Sequence, residues 1–149
     1  MGRRPLERFL QLPARDRSLL LWCATLLAAA RIALWGLPFR TVRRWIARPA
    51  RRLRSGETTP ARVAWAIALA KRVVPGATCL PQALVAEALL VAAGQPAELR
   101  IGVQKTAAGK LEAHAWVESG GRMIVGDLSQ GLSGYTPLPP LPPHPNAGR

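Results

Sequence analysis

The chain has 149 residues, of which 49% are hydrophobic and 19% charged, a composition typical of one globular domain and not of a disordered chain. Its positive charge is uneven: residues 1–72 carry 16 basic and 3 acidic side chains, whereas residues 73–149 carry 5 of each. Two cysteines are too few for a disulfide framework, and no zinc-site spacing is present.

The N-terminal half of the chain is predicted to be helical. Asp16 is placed to cap a helix that runs to about Leu34 and is apolar on nearly every face. The uninterrupted apolar part, Leu19 to Ala30, would span about 18 Å as a helix. A bilayer core needs about 30 Å. We therefore predict a buried or interfacial helix and a cytoplasmic protein.

A second, basic helix is predicted over Thr41–Leu53, broken or kinked at Pro49. We interpret its arginines as a solvated face, with an acidic partner surface or lipid headgroups as the alternatives, so that a peripheral membrane contact stays open. No nucleic acid is expected, because neither a known motif nor aromatic residues interleaved with arginine on one face are found. The arginines concerned are Arg43, Arg44, Arg48, Arg51, Arg52 and Arg54.

Two more helices are predicted before the pattern changes. Thr59 followed by Pro60 is typical of an N-cap with proline at the first helical position. Thr78 is placed to cap the next helix, which opens at Cys79 and stops near Gly94. The last of these helices carries the candidate nucleophile described below.

After Pro96 the apolar period changes from 3.6 to 2, which predicts strands over Leu99–Val103, over 111–118 and over Arg122–Leu128. The order of elements predicts an α+β fold, with N-terminal helices and a nucleophile helix packed on a small antiparallel sheet. We divide the single domain into a basic helical region (1–56), a catalytic core (57–130) and a Pro-rich tail (131–149).

The tail is Gly- and Pro-rich from Ser129 onward and has no core-forming pattern, so we expect it to be extended or disordered. His144 lies within it and is expected to be exposed or satisfied by local structure. We therefore predict no catalytic role for His144.

Cys79 differs from Cys23 in its position. A thiol at a helix N-terminus faces unpaired N–H groups and the positive end of the helix dipole, which favour the thiolate. The same N–H groups can stabilise an oxyanion during acyl transfer. A free cysteine is also commonly a small buried hydrophobic residue, and we assign that role to Cys23, which lies among Leu and Ala in the middle of a helix.

The last hairpin predicts a partner for a histidine. If Gly120-Gly121 forms a two-residue loop, counting back along both strands places His114 opposite Asp127. Directly paired residues have Cβ atoms about 4.5–5.5 Å apart on the same face, which lets a carboxylate accept the Nδ1–H of an imidazole. The other ring nitrogen is then free to take a proton from the thiol of Cys79.

These motifs together resemble a known family. The Cys79-Leu80 start of a helix, the run Ala113–Glu118 (Ala-His-Ala-Trp-Val-Glu) and Gly126-Asp127 are similar to the transglutaminase-like peptidases of lasso-peptide biosynthesis, most closely over 60–128. The resemblance implies that Cys79 attacks a leader-peptide bond, that His114 is general base and then acid, and that Asp127 orients His114.

The resemblance also implies partners. Fused relatives carry a leader-binding domain for which 149 residues leave no room, so the chain is expected to be the peptidase half of a split protein. It would act on a precursor peptide with a separate leader-binding protein and an ATP-dependent lasso cyclase, and it would need neither a metal nor an organic cofactor. The order Cys79-Leu80-Pro81-Gln82 departs from relatives in which an arginine commonly follows Cys-Leu-Gln.

Two residues near the predicted triad are candidates for substrate binding. Trp116 shares the strand face of His114 and either lines the substrate groove or serves packing alone, while Gln82 lies three residues into the nucleophile helix. Glu112 and Glu118, on the same face, are interpreted as solvated strand residues. Two other functions stay open: another transglutaminase-like acyl transferase or amidase, and a non-catalytic basic adaptor that binds membrane or nucleic acid.

Overall fold

The computed structural model describes residues 5–53, 58–126 and 133–147. Over these ranges the chain forms five α-helices and a four-stranded antiparallel sheet, which confirms the predicted α+β class. The helices are α1 (Pro5–Leu10), α2 (Ala14–Gly36), α3 (Phe39–Ala50), α4 (Pro60–Val73) and α5 (Cys79–Ala92). The strands are β1 (Glu98–Lys105), β2 (Leu111–Ser119), β3 (Arg122–Val125) and β4 (Thr136–Pro137), in the spatial order β3-β2-β1-β4.

Helix α5 lies at the centre of the molecule. Every residue from Ala83 to Leu90 is buried, because α5 contacts α2, α3 and α4 as well as the sheet. A helix that is apolar on all sides is expected in such a position. One face of the sheet completes this core through Leu99, Ala115, Val117 and Val125.

Helix α2 begins three residues earlier than predicted. Pro13 occupies its N-cap position, so Asp16 lies in the first turn and does not cap the helix. The Asp16 carboxylate instead forms an ion pair with Arg62, which connects the first turn of α2 to that of α4. Cys23 is fully buried, as predicted, and burial raises the pKa of its thiol to about 12.

By length and composition α2 is apolar enough to cross a membrane, and it is the one such helix among the described residues. Core helices of globular proteins have the same properties, and six side chains of α2 are buried in the protein core. Leu21, Ile32 and Trp35 remain exposed on its outer side.

The predicted solvated arginine face of α3 is wrong for one residue. Arg43 is buried and donates two hydrogen bonds to the Glu87 carboxylate, from Nε (2.9 Å) and from Nη2 (2.6 Å). Glu87 lies in the middle of α5, where an unpaired carboxylate would be costly, so the helix packed against it supplies the countercharge. The other described arginines of this face, Arg44, Arg48, Arg51 and Arg52, are exposed, and Arg54 lies outside the described residues.

The segment 133–147, here called the C-terminal strap, is extended and attached at two places. Strand β4 pairs with β1, and the Leu138 N–H donates to the Ile101 carbonyl (2.8 Å). At its far end the strap packs against α3: Arg43 Nη1 donates to the Pro142 carbonyl (2.9 Å), and Asn146 Nδ2 donates to the Ala47 carbonyl (2.8 Å). His144 is buried there, and desolvation lowers its pKa.

Candidate active site

Cys79 is the first residue of α5, as predicted, with Thr78 at the N-cap position. The Thr78 side chain makes no capping hydrogen bond. Among the described residues, no acceptor is bonded to the backbone N–H groups of Cys79 and Leu80, and Pro81 has none to donate. Two N–H groups at the positive end of the helix are therefore available to an anionic oxygen beside the thiol.

Gln82 stabilises the turn that leads into α5. Its side-chain Nε2 donates to the Ala77 carbonyl (2.6 Å), and its backbone N–H donates to the Thr78 carbonyl (3.4 Å). Both contacts lie within three residues of Cys79, so Gln82 holds the backbone around the candidate nucleophile. A contact between Gln82 and substrate stays a prediction.

His114 and Trp116 project from the second face of the sheet. Side chains alternate along β2, and Ala115 and Val117 belong to the core that α5 completes, so their neighbours point the other way. The imidazole and indole rings are stacked, with centroids 6.2 Å apart and an interplanar angle of 19°. Gly102 of β1 lies directly opposite His114.

The Nε2 atom of His114 is buried and has no hydrogen-bond partner among the described residues, and the same holds for Nε2 of His144. Leaving a buried polar atom unsatisfied costs about 1–3 kcal/mol, so most such atoms in native proteins are paired. This is the nitrogen that the sequence interpretation leaves free for proton transfer. An unoccupied acceptor or donor at this atom is what a general base or acid requires before substrate binds.

The predicted nucleophile and base are not in hydrogen-bonding contact. Cys79 packs against the core cluster on the helix side of the sheet, and no hydrogen bond joins its thiol to His114 in the described part of the chain. Because the side chain of His114 points to the face of the sheet opposite α5, whereas Cys79 lies on the α5 side, the structure does not bring the predicted thiol and imidazole together. The thiol and the imidazole thus belong to adjoining elements, α5 and β2, without a direct bond between them.

The hairpin register agrees with the prediction only near the turn. Gly120 and Gly121 form the two-residue loop with positive φ angles (56° and 76°), and Ser119 pairs with Arg122. A bulge follows, because Val117 pairs with Val125 and not with Ile124. The predicted register therefore does not hold at Val117 and Val125. Asp127 lies outside the described residues, so its contact with His114 stays a prediction.

Trp116 is nearly enclosed by its neighbours. It is 3% exposed, and its indole N–H donates to Glu118 Oε1 (2.8 Å), so Glu118 is not simply a solvated strand residue. Two glycines make room for it: a Cβ would lie 3.0 Å from the indole ring at Gly102 and 2.8 Å from the Trp116 Cβ at Gly126. In this position Trp116 presents almost no surface to a ligand, and it supports His114 by packing.

Sequence reasoning missed Tyr135. Its ring lies 5.5 Å from the His114 ring, centroid to centroid, at an interplanar angle of 39°. This contact depends on the pairing of β4 with β1, which joins residues more than 30 apart in sequence and leaves no local periodic signal. The single tyrosine of the chain, in an otherwise Gly- and Pro-rich segment, was the available hint.

Within the described ranges, no group of three or more His, Cys, Asp or Glu side chains is arranged to hold a metal ion.

Comparison with known proteins identifies one family. The model of the transglutaminase-like superfamily matches residues 24–139, which is more than half of the chain. Neither the curated proteins nor the solved structures contain a match. The matched range covers the nucleophile helix, all four strands and the start of the strap.

Proposed function

Because the chain belongs to the transglutaminase-like superfamily, we propose that it is a cysteine peptidase that removes the leader from a ribosomally made lasso-peptide precursor. The superfamily supports the broader class of cysteine peptidases and acyl transferases. The narrower activity is supported by the sequence resemblance of Cys79-Leu80 and Ala113–Glu118 to the leader peptidases.

The buried, unpartnered Nε2 atom of His114 is the observation that carries the proposal. Both histidines have a buried Nε2 atom without a hydrogen-bond partner among the described residues, and of the two only His114 lies within the region that matches the superfamily. The second supporting feature is the position of Cys79 at a helix N-terminus with two free N–H groups. Such a site favours a thiolate and a developing oxyanion.

The proposed reaction has two steps. His114 takes the thiol proton of Cys79 as the sulfur attacks the carbonyl carbon of the scissile peptide bond. The Cys79 and Leu80 N–H groups stabilise the oxyanion, and His114 passes that proton to the departing amine. The amine of the core peptide leaves, and the leader stays bound as a thioester. Water then gives a proton to His114 and attacks the thioester, which releases the leader carboxylate and restores the thiol. Asp127 is proposed to orient the imidazole.

The freed amine defines the partners of the proposed peptidase. A separate leader-binding protein would deliver the precursor, and an ATP-dependent cyclase would join the new amine to a side-chain carboxylate. These steps place the proposed enzyme in the cytoplasm, where precursor and ATP are available. The proposed peptidase itself would use no cofactor.

Cleavage of a precursor peptide tests the proposal. With the leader-binding protein present, mass spectrometry should detect leader and core products, and Cys79→Ala and His114→Ala should each abolish them. Cys23→Ala is the matched control: it should keep most activity and lose about 1 kcal/mol of stability through reduced packing. Equal loss of turnover in well-folded Cys79→Ala and Cys23→Ala proteins would refute the assignment.

The products also separate the peptidase from its rivals. In ¹⁸O-labelled water, a peptidase incorporates one label into the leader carboxylate, whereas an acyl transferase yields an amide or a cross-linked product without label. The exposed arginines of α3 favour the remaining alternative, a non-catalytic basic adaptor that binds membrane or nucleic acid. Binding that falls steeply with salt and does not require Cys79 would support that function instead.

A further inference from the structure

We propose that Tyr135 is a positioning residue for His114, and that the C-terminal strap is therefore part of the catalytic apparatus. This inference is based on the proposed function, because it assigns a role in the same reaction. The Tyr135 ring contacts the imidazole ring, and Tyr135 belongs to the strap and not to the β2–β3 hairpin. A residue of the strap thus reaches the predicted base from outside the hairpin.

The backbone around His114 is shaped for this contact. Gly102 lies opposite His114 on β1, and a Cβ there would be 3.1 Å from the Tyr135 Cβ and 3.0 Å from the Trp116 ring. Without a side chain at this position, both aromatic rings approach the imidazole over the same strand. Any larger residue would displace at least one of them.

The pairing of β4 with β1 places the Tyr135 ring beside His114. It involves Thr136 and Pro137, the two residues that follow Tyr135. Further along the chain, Arg43 and Asn146 bond the strap to α3. Both attachments lie on the C-terminal side of Tyr135, and the nearer one sets where the ring lies.

The physical role follows from the orphaned Nε2 atom. Among the described residues no hydrogen bond to Nε2 orients the imidazole, so ring contacts add to the orienting role proposed for Asp127 at the other ring nitrogen. The Trp116 ring supplies one contact on β2 itself, and the Tyr135 ring supplies the other. An error of about 1 Å in the position of a catalytic group can cost about 100-fold in rate.

Steady-state kinetics of precursor cleavage tests this role. Tyr135→Ala should lower kcat by about 10- to 100-fold, with KM changed less than about twofold, because substrate binding is not involved. Tyr135→Phe keeps the ring and should retain activity within about twofold. Val73→Ala, at an exposed position of α4 outside the strap, is the control and should behave as the unmodified protein. An unchanged kcat in a folded Tyr135→Ala protein overturns the proposal. A kcat that falls as far in Tyr135→Phe as in Tyr135→Ala also overturns it.

A second measurement needs no substrate. The chain has two histidines, so the imidazole resonances in NMR spectra are assigned by substituting each in turn. Tyr135→Leu keeps an apolar side chain and serves if the Ala variant fails to fold. It should shift the His114 resonances, because the ring current of the tyrosine is lost, and it should leave the His144 resonances unchanged. No shift would overturn the contact. If Cys79→Ala retains cleavage while this shift is seen, the proposed function fails and the positioning contact does not.

Discussion

The buried pair of Arg43 and Glu87 should dominate the stability of the helical layer. Their side chains are 8% and 1% exposed, and two hydrogen bonds join them. Glu87→Gln keeps the shape of the side chain but leaves the guanidinium without its countercharge. Breaking one partner of a buried pair typically costs about 3–5 kcal/mol. Since domains of this size are stable by about 5–15 kcal/mol, the loss should be large.

Urea denaturation followed by tryptophan fluorescence measures this loss, because the chain contains five tryptophans. With a slope of about 2 kcal/mol per molar urea, the midpoint should fall by about 1.5–2.5 M. The matched control is Glu98→Gln, which removes a carboxylate that is 66% exposed and paired with Arg100. An exposed pair contributes about 0–1 kcal/mol, so its midpoint should fall by no more than about 0.5 M.

A double replacement separates charge burial from packing. Arg43→Met combined with Glu87→Leu removes both charges and fills similar volume, and such exchanges are often neutral or stabilising by about 1–4 kcal/mol. The double variant should therefore be more stable than Glu87→Gln. The reasoning is refuted if Glu87→Gln loses no more stability than Glu98→Gln, or if the double variant is the least stable of the three.

Two further predictions concern pH and charge. Burial lowers the pKa of His144, so this imidazole binds a proton at higher pH in the unfolded chain than in the folded protein. The free energy of unfolding should therefore fall by at most about 1.4 kcal/mol per pH unit as the pH drops below about 6.5. His144→Gln should flatten this part of a plot of urea midpoint against pH, and an unchanged slope would contradict the assignment. Charge reversal of two exposed arginines of α3 and one that follows it should raise KM and weaken partner or membrane association, with little change in the saturated rate. Reversal of Lys71 and Arg72 on α4 should do neither, and a fall in kcat alone would contradict the prediction. The three residues are Arg44, Arg48 and Arg52.

Several features of this protein are determined by its sequence alone, because their signals are local. Thr59 followed by Pro60 predicts the start of α4, and the Thr59 side chain accepts the Arg62 N–H (3.3 Å). The change of apolar period after Pro96 predicts the sheet, and Gly120-Gly121 predicts its tight turn. Each signal lies within a few residues of the structure it specifies.

The tertiary structure alone decided which distant side chains meet. Arg43 matches the pattern of a solvated helix residue, yet α3 packs against Glu87, 44 positions away, and the buried carboxylate requires a cation. One extra residue in β3 shifts the hairpin register at Val117 and Val125, which departs from the register that counting from the turn predicts. The strap brings Tyr135 to His114 through backbone pairing with β1, which carries no side-chain periodicity. Such contacts depend on how whole elements pack, and local propensity does not encode that packing.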